Sequence, residues 1–229
     1  MRGFRVAVID CDYPQYSVLR QRQRDTASAE ASALVRQRLE AQFGRLDRQP
    51  YPVLAAHPQT ALREWEQYAA RGQESCQAVL FDLPGTMGTE GVLSTLAALD
   101  YLVVPLKADR MVLESSLNFA ATLNDRLITT GASRLRGIFL FWNLVDRRER
   151  NRLYDIYATG ISQLGLRLLH SRIPVRAALG RDLVPGTWAG RSTLLPPDAA
   201  LARECGLADL MNELCLALNL DPKDEGRNG

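Results

Sequence analysis

A chain of 229 residues with 46% hydrophobic content can bury one full core, and its length sits in the single-domain range. Its 28 basic and 26 acidic residues leave a net charge of +2, which excludes a strong global field toward nucleic acid or membrane; any DNA contact needs a local patch. No apolar run comes near the about 18 residues of a membrane span, no leader pattern opens the chain, and Cys11, Cys76, Cys205 and Cys215 lack C-x-x-C or metal-ligand spacing, which together predict a reducing, cytoplasmic setting.

In chain order, Val6, Val8 and Ile9 are β-branched and bounded by turn residues, which predicts a buried strand of a parallel sheet. Asp10 and Asp12 stand at its carboxyl end, where open α/β sheets place ligands. Two carboxylates there suit a divalent cation or an activated water; the alternative is an Asx turn with a helix cap. Cys11 between them is expected on the opposite face as a small buried hydrophobe. Residues 18 to 43, with Leu34, Val35, Leu39 and Phe43 at helical spacing, predict one long amphipathic helix whose basic start, Arg20, Arg22 and Arg24, reads as a solvated face.

Tyr51 to Ala56 is a predicted strand, followed by a helix from about Pro58 to Ala70. His57 at that junction is expected to cap the turn more than to bind a ligand. Residues 78 to 83 repeat the first design, an apolar strand with Asp82 at its carboxyl end and a Pro-Gly turn beyond. A helix over 89–98, a strand over 101–106 and a helix over 111–130 follow, and the alternation argues for a parallel sheet covered on both faces. Residues 137–144 form a further strand, and Asp146 is the expected cap of a helix running to about Leu164. The segment Asp182 to Asp198, rich in Pro and Gly, predicts a long loop with Trp188 as its anchor or partner contact. A helix from Asp198 to about Leu218 closes a single domain over 1–220, and 221–229 is a polar tail.

Several of these segments resemble a known family in the order in which it carries them. Val-Ala-Val-Ile-Asp-Cys-Asp-Tyr-Pro-Gln resembles the second-strand motif of the ParA/MinD family of P-loop ATPases, and Val79-Leu-Phe-Asp-Leu-Pro-Gly85 resembles their Walker B motif. Gly137-Ile-Phe-Leu-Phe-Trp-Asn-Leu144 is similar to the strand whose terminal Asn reads adenine, and Arg172-Ile-Pro-Val-Arg176 to the element lining the base pocket. The inserted tyrosine and the Arg-rich helix after it are most similar to the ParA-type proteins of conjugative transposons.

The resemblance implies a single-domain, mostly parallel twisted sheet with helices on both faces, P-loop NTPase-like, and a site for ATP and magnesium. It implies that Asp12 orients the attacking water, that Asp82 holds magnesium through its water shell with Asp10 in support, and that Asn143 and Pro174 receive the base. It further implies an ATP-dependent homodimer that binds DNA non-specifically and a partner of the ParB type, during partition or conjugative transfer. Arg147, Arg148, Arg150 and Arg152 are the first basic patch for DNA; Arg172, Arg176 and Arg181 are the second. MinD-type relatives end in a basic membrane-binding helix, but here the end carries Asp209, Glu213 and Asp221 with no basic residue from there until Lys223, which disfavours a membrane.

One departure limits the inheritance. A P-loop needs a Gly-rich turn around the phosphates and a lysine on them. The only lysines are Lys107 and Lys223, and neither lies in such a loop. The chain thus starts one βα unit late against the family, through an internal Met1 or a real truncation, and the first is expected because the missing strand would be central to the sheet. As given, the chain is expected to be a poor ATPase. Two other classes are a nucleotide-free interaction module related to ParA, and a redox protein of the nitrogenase iron protein type, which the lack of cysteine between Asp82 and residue 204 disfavours.

Overall fold

The computed structural model describes residues 3–71, 75–86, 88–146, 152–184 and 190–220. It is an α/β structure whose chain divides into two units. The first comprises Met1–Thr95, Ala177–Asp198 and Leu220–Gly229; the second comprises Leu96–Arg176 and Ala199–Asn219.

In the first unit, strands β1 (Val6–Asp10), β2 (Val53–Ala55) and β3 (Ala78–Asp82) form a parallel sheet in the order β2-β1-β3. The β-branched run of β1 buries Ile9 and Cys11 in a core with Ala56 and Ala61, sealed by Trp65, Val79 and Phe81. The region expected as one helix is two, α1 (Ser17–Ala31) and α2 (Ala33–Leu46). Ser32 interrupts them in extended conformation and its hydroxyl accepts the Val35 N–H at 3.4 Å, so a buried serine caps the second helix. Val35 of α2 packs with Leu183 and Leu195. Helix α3 (Ala61–Ala70) begins three residues after Pro58, which instead stands second in the His57–Thr60 turn, its carbonyl accepting the buried Thr95 hydroxyl at 2.7 Å.

In the second unit, β4 (Tyr101–Leu106), β5 (Gly137–Val145) and β6 (Arg167–Pro174) form a parallel sheet in the order β4-β5-β6. β5 lies in the middle, and its residues from Gly137 to Leu140 are all buried, as expected of a strand covered on both faces. Helix α4 (Val92–Ala98) precedes this sheet, and α5 (Arg110–Leu123) continues as a π-helical turn over Asn124–Thr129. Helix α6 (Arg152–Gln163) sets Tyr154 edge-on against Trp142 at 4.8 Å. The expected cap, Asp146, is separated from Arg152 by residues 147–151, outside the described set. The last helix is also two pieces, α7 (Ala199–Glu204) and α8 (Leu207–Ala217), because Gly206 turns the chain at φ +68°.

The strands thus fall into two three-stranded sheets where one continuous sheet was expected. Among the described residues, β3 hydrogen-bonds only to β1 and β4 only to β5, so each ends its sheet.

Candidate functional site

The first unit gathers the expected carboxylates by strand register. β1 and β3 run parallel with Asp10 opposite Asp82, so both side chains leave the sheet at the same carboxyl end. The ladder continues one residue further, where the Cys11 N–H donates to the Asp82 carbonyl at 2.8 Å. Asp12 opens the turn that follows, and its carbonyl accepts the Tyr16 N–H at 2.8 Å.

The carboxylates differ in what they touch. Asp10 is fully buried and accepts two backbone donors, the Asp12 N–H on Oδ1 at 3.3 Å and the Leu19 N–H on Oδ2 at 2.9 Å. The first bond is an Asx turn and the second caps α1, whose own N-cap residue, Tyr16, makes no side-chain cap bond. The bland alternative for this motif therefore describes Asp10, and its part in the site is to hold the turn that carries Asp12. Asp12 is partly exposed and its carboxylate makes no hydrogen bond among the described residues. Asp82 is half-buried; burial first, then the charges of Asp10 and Asp12, raise its carboxyl above the ordinary value.

Cys11 behaves as expected of a core residue. Burial, with Asp10 and Asp82 nearby, pushes its thiol up to about 12, which keeps it protonated and a poor nucleophile at neutral pH. Around the turn, Tyr13 meets Tyr16 edge-on at 5.9 Å and His57 at 5.4 Å. His57 itself caps, since its Nδ1 accepts the Gln59 N–H at 3.3 Å and its carbonyl accepts the Thr60 N–H at 2.9 Å.

Among the described residues, no group of three or more His, Cys, Asp or Glu side chains is arranged to hold a metal ion directly. What Asp12 and Asp82 offer is uncompensated negative charge at a strand end. Such a pair can order water, or hold a hydrated magnesium ion, which keeps several of its own waters and needs few protein ligands.

The second unit holds the other expected pair. Asn143 lies near the end of β5, where the β5–β6 register shifts between Trp142 and Val145, and its Oδ1 accepts the N–H of Leu144, a residue at φ +56°. The Oδ1 is thus spent locally and the side-chain NH₂ remains to donate. Pro174 is buried and ends β6 opposite Val145, so both residues stand at the carboxyl ends of adjacent strands.

Of the basic patches, Arg147, Arg148 and Arg150 lie outside the described residues, and Arg152 is the first residue of α6. Arg172 stacks its guanidinium over the Tyr154 ring at 5.1 Å. Trp188 and Lys223 also lie outside the described residues, and Lys107 is exposed just past β4.

Sequence reasoning missed a polar latch in the first unit. Asp25 of α1 is buried; its Oδ1 accepts the Gln21 amide at 3.0 Å, and its Oδ2 accepts the Thr193 N–H and the hydroxyls of Ser192 and Thr193. Arg22 reaches the Thr193 hydroxyl and carbonyl and the Tyr51 carbonyl. An aspartate among arginines on a helix was the available signal, but its partners lie far along the chain. No family model matches this chain, and no curated protein matches it.

Proposed function

We propose that this chain is a ParA-type ATPase of the ParA/MinD family with a P-loop NTPase-like fold, acting in DNA partition or conjugative transfer of a mobile element. In this reading ATP drives a homodimer that binds DNA and a partner protein of the ParB type. The observation that carries it is the register pairing of Asp10 with Asp82, with Asp12 directly beyond, at the carboxyl end of parallel strands.

The roles follow from what each side chain touches. Asp12, with its carboxylate unengaged among the described residues, orients the attacking water. Asp82 would hold magnesium through its water shell, and its raised pKa supports this, because a dication would relieve the repulsion from Asp10 and Asp12. Asp10 holds the turn. Magnesium supplies charge neutralisation on the phosphates, and phosphoryl transfer is mostly positioning and electrostatics. Asn143 and Pro174 receive the base, and Arg147, Arg148, Arg150 and Arg152 meet DNA phosphates.

A second reading rests on the absence of a Gly-rich lysine loop from the 229 residues. It is a nucleotide-free interaction module related to ParA. Calorimetry with magnesium-ATP separates the two, on the chain as given, on one extended upstream in its reading frame, and on each with Asp82→Asn. Saturable binding that Asp82→Asn abolishes, with a rise in dimer on sizing, supports the ATPase. Heat of dilution alone from every protein sinks it and leaves the interaction module.

A further inference from the structure

The first unit carries a concave site that uses none of Asp10, Asp12 or Asp82. A cleft of about 430 Å³ is lined by Arg20 and Arg24 of α1, by Arg191 from the far end of the chain, by Thr193, and by Ser17 and Val18 in the first turn of α1. Among the described residues, no carboxylate lines it. Arg20 and Arg24 are one helical turn apart, a spacing at which like charges repel and that an uncommitted surface helix fills more cheaply with opposite ones. The first turn of α1 contributes no acidic residue of its own to the cleft; the carboxylate on that helix end is Asp10, which is buried and spent on the Leu19 and Asp12 N–H groups.

The arginines keep donors to spare. Arg20 makes no side-chain hydrogen bond or ion pair among the described residues. Arg24 uses one Nη on the Gln21 side chain, and Arg191 uses Nε and Nη2 on a single oxygen of Asp182, at 3.1 and 3.0 Å, leaving Nη1. Asp182 therefore offsets one of three positive charges. Asp25, the other nearby carboxylate, is buried and already accepts four hydrogen bonds. Those bonds, with Arg22, fasten residues 192 and 193 to α1, so the wall bearing Arg191 is held in place before any ligand arrives.

We infer that this cleft binds a small anion with at least two linked phosphoryl groups, of the pyrophosphate class. A planar carboxylate meets two guanidinium forks at most, whereas linked tetrahedral phosphoryl groups present oxygens to three forks at once. The volume suits a small molecule.

The test is calorimetry of the full chain with inorganic pyrophosphate in the absence of divalent cations, so that the aspartate cluster contributes no metal-dependent binding. One pyrophosphate per chain is expected, with Arg20→Gln, Arg24→Gln and Arg191→Gln each weakening it about tenfold or more. Arg24→Lys, which keeps charge but loses the fork, is expected to weaken it less, and Asp12→Asn to leave it unchanged. Far-UV circular dichroism checks each fold; should Arg191→Gln not fold, Arg20→Gln carries the test, since among the described residues that side chain has no hydrogen bond or ion pair to lose. No binding, binding indifferent to all three arginines, or loss on Asp12→Asn overturns the proposal. So does binding of a short DNA duplex with the same arginine dependence when pyrophosphate does not bind. None of these outcomes depends on whether magnesium-ATP binds.

Discussion

Asp82 and Glu213 show two opposite ways in which a folded chain moves a carboxyl pKa. Asp82 lies above its ordinary value because burial and two neighbouring aspartates disfavour its charge. The folded state therefore holds its proton more tightly than the unfolded chain, so its stabilising contribution is present at acid pH and is lost as pH rises through the folded value. Asp82→Asn removes the charge with little change of shape, and its urea midpoint should exceed that of the parent at about pH 7 and converge with it at about pH 3. A lower midpoint at neutral pH would mean that the carboxylate is stabilised by a contact and not stressed by its neighbours. Glu213 moves the other way. Burial raises its carboxyl, but hydrogen bonds from the backbone and side chains of His170 and Ser171 outweigh that and hold it at about 2. Its contribution is then complete above 4.5 and disappears as pH falls through about 2. Glu213→Gln should cost about 1–2 kcal/mol near neutrality, and a cost unchanged at the acid end would show that charge is not the cause.

Helix ends and close approaches, more than helical periodicity, decide where elements begin and stop. The apolar spacing from Leu34 to Phe43 is continuous with the polar run before it, so the sequence reads as one helix, yet Ser32 breaks it. A serine in a helical pattern is a weak signal until the neighbouring packing shows it buried at 9% exposure. Gly91, just before α4, is a sharper case. It adopts φ +85°, and a Cβ there would lie 2.3 Å from the backbone of Gln59. Gly91→Ala should therefore cost at least about 2 kcal/mol by thermal or denaturant unfolding. Gly44, inside α2 with nothing within 4 Å of its notional Cβ, should respond in the opposite direction. Gly44→Ala is expected to stabilise by about 0.5–1 kcal/mol, and equal effects of the two substitutions would refute the close-approach argument.

For the molecule as a whole, the functional proposal has a thermodynamic consequence independent of turnover. A ligand that binds only the folded state at a hundredfold its Kd adds about 2.7 kcal/mol, so magnesium-ATP should raise the melting temperature of the parent chain if it binds, and leave Asp82→Asn unmoved. An equal rise in both would place the nucleotide away from the carboxylates. The sequence by itself determined the α/β class, because strands of β-branched residues alternating with amphipathic helices leave parallel pairing as the economical solution. It also determined that Asp10, Asp12 and Asp82 would stand at strand ends, since an apolar run that stops at an aspartate and a proline turn has little freedom over where that aspartate goes. Only the tertiary structure decided that Asp10 spends both oxygens on the backbone while Asp82 stays uncompensated, because the Leu19 N–H that caps the one and the burial that stresses the other come from packing. Likewise, the division of the strands into two sheets and the meeting of Arg20 and Arg24 with Arg191 depend on pairings between residues remote in the chain, and no local propensity encodes those.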